Sequence, residues 1–460
     1  MIIIPETQAG DPDRREAFAE FARRQAGGAV TSPPLLLPGP QRRIYVRETL
    51  REDHRFRIHN RPEGAEEKFD KLASSPFSFF RGTALLYYRD HAGIDSHLPS
   101  VFTVGDVHPE NFGVMPNADG APFFGVDDFD EACVAPFSYD LRRGALGFDI
   151  AAKENGLSKK KRRKVVRAFL RGYFGQLAGF AQDDREKSHQ YRIDNSPAMI
   201  RDLLKSALKS RESFLEELID LSNARFRPTE EIVPRSDEVP KLQKVIHDYR
   251  RTNGWDGRRK PKAFYTVKDV AVKRGSGTAS LGLDRYFVLI RGQADSTEND
   301  VILELKRSRP SALEGLVPWV KSGRPGDDHA HAQQVARAHR IHLVGGDRFY
   351  GWAAIDGQSF LVRERSPYKN DIDPADLDAG ELKKYARICG AALAQPHARS
   401  DEDTGAMQGD AESRILSSVD PDVFCDDLVR FAQAATARVY RDHKAFKKDH
   451  ALGAFSIVNS

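Results

Sequence analysis

Residues 267–307 restrict the fold more than any other stretch of this 460-residue chain. VKDVAVK, RYFVLI and VILELKR alternate apolar with polar positions, are rich in β-branched and aromatic residues, and flank a glycine-rich turn, GSGTASLG. That pattern predicts two or three antiparallel strands. FYGWAAIDGQSFLVRER predicts a further hairpin, after a helix over 329–342. On both sides of this block the apolar period is helical, from Tyr139 to Ala181, from Pro197 to Ser222, and from Pro374 onward. Strands set inside helical sequence oblige the two helical flanks to pack on each other. The expected fold class is therefore α+β, a large, mostly helical part interrupted by a smaller antiparallel β part.

The boundaries follow from the same pattern. Residues 1–65 form an N-terminal extension with a helix over 14–25 and a connector, SPPLLLPGP. Residues 66–260 are mainly helical, with a break at Ser75-Pro76, a buried strand running into a loop in PSVFTVGDVHPENFGV, and a short strand ending in the acidic loop of PFFGVDDFDEA. A polar connector with one helix, 223–262, leads into the β-rich part, 261–365, and residues 366–460 return to helix. No internal repeat is present.

Seventy-one basic residues against 67 acidic ones leave a formal charge of +4, too small a surplus to point to nucleic acid as the main partner. Cys133, Cys389 and Cys425 are far apart and form no CxxC pair, which argues against a disulfide framework or a cysteine zinc site. No apolar run reaches 18 residues, and MIIIPETQAGDPDRR lacks the apolar stretch of a signal peptide. These features predict a soluble, cytoplasmic protein without a membrane partner. Oligomeric state leaves no mark on the sequence.

The chemistry concentrates in Gly105-Asp106-Val107-His108-Pro109-Glu110-Asn111 and in Val126-Asp127-Asp128-Phe129-Asp130-Glu131-Ala132. Phosphoryl transfer needs a carboxylate to orient the attacking hydroxyl and oxygen ligands to hold Mg²⁺ against a triphosphate. An Asp followed five residues later by Asn, with a second Asp after a nearby strand, supplies that inventory. A polar loop with Asx-turns uses the same residue types, and either segment alone would fit it. The glycine-rich turn around Gly277, Thr278, Ala279, Ser280 and Gly282 could cradle phosphates through its backbone N–H groups, or be only a hairpin turn. Lys306 closes the next strand, where an edge lysine or a phosphate clamp would both be at home.

These residues resemble the aminoglycoside-phosphotransferase and choline-kinase branch of the protein-kinase-like fold, whose catalytic loop reads HGDxHxxN and whose metal loop reads IDFxxA before a YDL segment. VGDVHPEN carries Val104 in place of the leading His, and Asp128-Phe129-Asp130-Glu131-Ala132 is followed by Tyr139-Asp140-Leu141. From about Lys68 to the C-terminus the chain is closer still to a bacterial family, domain of unknown function 2252, through SPFSFFRGTA, GDVHPENFG, DDFDEA, PFSYDLRR and ALAQPHARS. The resemblance implies a two-lobed kinase-like fold in circularly permuted order, because the glycine-rich turn and the lysine follow the catalytic loop instead of preceding it. Permutation of this kind is physically permissible where chain termini lie close together.

It further implies ATP and Mg²⁺ as cofactors and an unidentified acceptor as partner. Asp106 would be the base, Asn111 and Asp128 the magnesium ligands, Lys306 the phosphate clamp and Gly277 to Gly282 the loop over the phosphates. Arg363 and Glu364 would mark the hinge beside the adenine, and Asp140 would brace the catalytic loop. Ala279 stands where the family pattern has its middle Gly, and Arg337 where a helix Glu would partner the lysine; Glu314 is the available substitute. These departures keep two other outcomes open, a non-catalytic nucleotide-binding module of pseudokinase type and transfer of AMP from a reversed ATP. The run Lys159–Lys164 after Ser158 reads as the solvated start of an amphipathic helix, and His108 as a structural loop residue.

Overall fold

The computed structural model of the chain describes residues 14–28, 33–252, 260–274, 285–293, 296–317 and 330–456. Helices α1 (Arg15–Ala26), α2 (Gly39–Asp53), α3 (Arg55–Asn60), α4 (Pro62–Ser74), α5 (Pro76–Arg81) and α6 (Ala84–Asp90) open it. Ser75 breaks the helical run as its sequence foretells. Its backbone is extended, and its side chain caps α5 by accepting from the Ser78 N–H at 3.0 Å.

Strands β1 (Ser100–Thr103) and β4 (Cys133–Pro136) pair antiparallel, and between them in sequence β2 (Phe112–Pro116) and β3 (Pro122–Val126) form a separate hairpin. The sequence predicts a loop at the end of PSVFTVGDVHPENFGV, yet strand β2 begins there at Phe112. Its apolar residues instead pair with β3, and Phe112 and Val114 enter the core. Helices α7 (Ser138–Glu154), α8 (Lys159–Asp183), α9 (Ala198–Ser206) and α10 (Arg211–Leu218) follow. The helical period over 197–222 is interrupted between Ser206 and Arg211, where Ser210 caps α10, and gives way to the short pair β5 (Ile219–Asp220) and β6 (Arg225–Phe226).

Next come β7 (Ile232–Pro234), α11 (Val239–Thr252), β8 (Val267–Lys273), β9 (Arg285–Ile290), β10 (Val301–Arg307), α12 (Ala330–His342), β11 (Gly351–Ile355) and β12 (Gln358–Glu364). The chain ends in α13 (Ala379–Ala398), α14 (Ala411–Ser418) and α15 (Pro421–Ala451). The fold is a mixed α+β one whose largest sheet has six antiparallel strands in the order β11-β12-β10-β9-β8-β7. Alternation sorts its side chains. Val270, Val288, Leu303, Leu305 and Val362 pack under Leu242, Ile246 and Tyr249 of α11, while Ala271, Phe287, Leu289 and Ile302 face Phe214 and Leu215 of α10. Glu304 and Lys306 share the face of Ile302 at two-residue spacing, so β10 carries both toward one side.

The largest apolar core joins β1–β4, α7, α8, α12 and α13. Helices α8 and α13 touch backbone to backbone through Gly172 and Gly390: a Cβ on Gly390 would lie 1.9 Å from Phe169 O, and one on Gly172 2.0 Å from Arg387 O. Helices α2 and α15 also meet. Arg42 of α2 is buried between Asp90 (2.6 Å) and Asp442 of α15 (2.7 Å), and Arg43 pairs with Asp449 at 2.6 Å.

Candidate active site

The loop after β1 is held from below by one carboxylate. Asp140, in the first turn of α7 and fully buried, accepts from Val104 N–H (2.7 Å) and Gly105 N–H (3.0 Å). His397 of α13 meets the same carboxylate through Nε2 at 2.9 Å, and its Nδ1 lies 2.9 Å from the Tyr173 hydroxyl. Gly105 has φ +74°, and a Cβ there would sit 2.3 Å from Glu131 O, so only glycine fits. Asp106 follows at φ +46°, a left-handed position that Asp tolerates better than most residues. Its N–H donates to the Tyr88 hydroxyl (2.7 Å), and its carbonyl accepts from Asn111 Nδ2 (2.9 Å). The Tyr385 hydroxyl, from α13, donates to Pro109 O at 2.8 Å.

The acidic loop is tied to this one directly, since Asp127 N–H donates to Asn111 O at 3.1 Å. Asp128 Oδ1 accepts from Asp130 N–H at 3.1 Å. Phe129 is buried between the two, stacked on His342 with ring centroids 5.5 Å apart. From the sheet, Lys306 reaches across to form an ion pair with Asp130. The result is a cleft of about 470 Å³, counting its open mouth, lined by Asp106, Asn111, Asp128, Asp130 and Lys306. Four of these five are residues singled out from the sequence; Asp130 is the addition. Glu314, the substitute partner expected for Lys306, instead lies 3.9 Å from His331, and Arg337 sits over Phe102. The lysine takes its carboxylate from the acidic loop, two residues from Asp128.

Asp106 has a partner that sequence reasoning missed. Arg143, fully buried in α7, donates Nε (2.7 Å) and Nη2 to Asp106 Oδ1, and its guanidinium lies 3.8 Å from the Phe80 ring centroid. Burial pushes the Asp106 carboxyl up, and Arg143 opposes that. Arg81 of α5 pairs with Glu110 and comes within 3.3 Å of His108 Nε2. Burial first, then Arg81 and Arg143, keep His108 neutral, in line with a structural role. The PFSYDLRR run held the signal for Arg143, but not the direction in which it points.

Arg363 and Glu364 lie apart from Lys306 and Asp106, on a second cavity of about 570 Å³ that also exposes Asp127, Arg365 and Lys369. Gly277, Thr278, Ala279, Ser280 and Gly282 lie outside the described residues. Among the described residues no group of three or more His, Cys, Asp or Glu side chains is arranged to hold a metal ion. An Asp and an Asn beside phosphate oxygens are a smaller set, and magnesium accepts such a set. Asn111 spends Nδ2 on Asp106 O, which leaves its Oδ1 for a cation. Asp128 Oδ2 has no protein donor among the described residues. The donor set fits magnesium.

A family described as uncharacterized protein conserved in bacteria (DUF2252) matches residues 60–449. The chain belongs to this family. No curated protein and no solved structure matches it. Within the DUF2252 span fall the loop at 105–111, the acidic loop and Lys306; α1, α2 and most of α3 precede it. That preceding layer still touches the cleft. Arg309, on the cleft wall, bridges Asp53 of α2 and Glu131 at 3.0 Å each, and Arg307 stacks over Phe56 at 4.1 Å. No helix among the described residues is long and apolar enough to cross a membrane.

Proposed function

We propose that this chain is a phosphotransferase with a kinase-like site in permuted order, using a magnesium–nucleoside triphosphate, ATP by resemblance, to phosphorylate a hydroxyl on a small molecule or protein. The convergence of Asp106, Asn111, Asp128 and Lys306 on one cleft carries the reading, because the Lys306–Asp130 pair joins positions 176 residues apart. Further support comes from the sheet. The glycine-rich segment falls between β8 and β9, the lysine on β10, and a helix before the β11–β12 hairpin, the succession of a kinase nucleotide lobe.

In this reading Asp106, fixed by Arg143 through Oδ1, offers its other oxygen to the acceptor hydroxyl and takes its proton as the new O–P bond forms and the bond to the leaving diphosphate breaks. Lys306 exchanges Asp130 for a phosphate oxygen. Asn111 and Asp128 would hold magnesium, which supplies neutralisation of the charge that develops on the transferred group.

Asp128→Ala is expected to abolish Mg-ATP turnover, and Asp106→Ala to spare ATP binding while removing transfer. Unchanged turnover in both variants refutes the assignment. Thermal shift with Mg-ATP, paired with product analysis over a broad acceptor panel, separates the rivals. Binding without chemistry would indicate a nucleotide-binding module, a second reading favoured by the lysine paired to Asp130 and the arginine on Asp106. AMP on the product would indicate nucleotidyl transfer.

A further inference from the structure

We propose that the second cavity is a binding site for a phosphate-type oxyanion, held by Arg363, Arg365 and Lys369. The three cations line one space of about 570 Å³ at the end of β12 and the segment after it, facing the β2–β3 hairpin. Neither Asp106 nor Lys306 lines it, so this cavity is distinct from the cleft that carries the phosphotransferase reading.

The carboxylates around the cavity are already engaged. Glu304 is shared by Arg285 (2.8 Å) and Arg363 (2.7 Å), and Glu364 is bound by Arg211 at 2.7 Å. Asp347 accepts from the backbone N–H groups of Phe349 (2.7 Å) and Glu364 (2.8 Å). Asp127 faces Lys369 and takes its main cationic influence from it. Arg365 is left over. It has no ion pair among the described residues, and its Nε is buried without a hydrogen-bond partner. Burial disfavours its charged form, Glu304 opposes that through space, and Arg363 and Arg285 repel it. Lys369 is likewise disfavoured by burial and by Arg363 and Arg365.

Cations held together against mutual repulsion, with a donor unspent, are the complement of an anion. Two guanidiniums, an ammonium and the Ser366 hydroxyl, which also lines the cavity, outnumber the two oxygens of a carboxylate. They suit the three outer oxygens of a phosphate group. Such a group has two sources: the terminal phosphate of a nucleotide lying reversed in the cleft, or a separate phosphorylated molecule.

The test titrates the full chain with inorganic phosphate and with tripolyphosphate, by calorimetry, in the parent and in Arg365→Gln and Lys369→Gln. Each variant should weaken binding of both probes about tenfold or more, the loss of one charge-assisted contact. Should Arg365→Gln fail to fold, Lys369→Gln, on the same cavity, decides alone. A parallel Mg-ATP titration separates the sources: weakened ATP binding assigns the phosphate to the nucleotide, and unchanged ATP binding assigns it to a second ligand. Equal phosphate and tripolyphosphate affinity in parent and variants, or no saturable binding to the parent, overturns the proposal.

Discussion

Gly390→Ala should destabilise the helical part of the molecule by about 3 kcal/mol, through one contact. The new Cβ would stand 1.9 Å from Phe169 O, whereas real Cβ atoms essentially never come closer than 3.0 Å to such an atom. Helices α8 and α13 must therefore move apart by about 1 Å, because the obstructing atom is backbone and cannot rotate away. Overpacking of this kind costs about 1–3 kcal/mol, and the gaps opened along the rest of the crossing add about 1 kcal/mol for each methyl-sized void. Gly172→Ala meets the reciprocal obstruction at Arg387 O, 2.0 Å away, and should cost a similar amount. Once one alanine has opened the crossing, the second finds part of its space already made. The double variant should then fall short of the sum by about 1 kcal/mol or more. Urea titration followed by helix circular dichroism measures all three. Strict additivity, or a loss under about 0.5 kcal/mol for Gly390→Ala, would refute the reasoning.

Three further outcomes are expected. Asp140→Asn should cost about 2–4 kcal/mol and raise amide hydrogen exchange at Val104 and Gly105, since a charged acceptor for three donors is replaced by a neutral one; exchange at those two amides is the readout. Lys306→Met should lower Mg-ATP affinity about tenfold while the fold survives, as read by thermal shift, and equal affinity would count against the clamp. Burial first, and then nearby Asp410, Glu186 and Asp401, push Glu412 from 4.5 up to about 8. The folded chain thus holds a proton there that the unfolded chain loses, so stability should fall as pH rises from about 4.5 to 8 and then level off. Glu412→Gln should flatten that fall in a series of urea midpoints.

What the sequence disclosed and what it hid divide along a physical line. Strands β8 to β12 and the helix over 330–342 were legible because alternation and helical period are local properties. Ser158 announced a helix start for the same reason and caps as expected, accepting from Lys161 N–H at 3.4 Å, while the break at Ser75-Pro76 proves to be a cap as well. Asp106, Asn111 and Asp128 were legible as a spacing. The partner of Lys306 was not, because Asp130 becomes its neighbour only when the sheet docks on the acidic loop. Nothing local in YDLRR tells which way Arg143 points, and α7 turns it inward against three aromatic rings. The need for glycine at 172 and 390 was invisible, since each is explained by a backbone more than two hundred positions away.

Arg42 bears on how the molecule is made. Clasped by Asp90 and Asp442 together, it ties segments of the chain 400 positions apart. A ribosome emits the loop at 105–111 long before Lys306, and Lys306 long before α15. The nascent chain must therefore carry an unclasped helical layer until Asp442 has been made. A stop codon anywhere before Asp442 would forfeit the clasp.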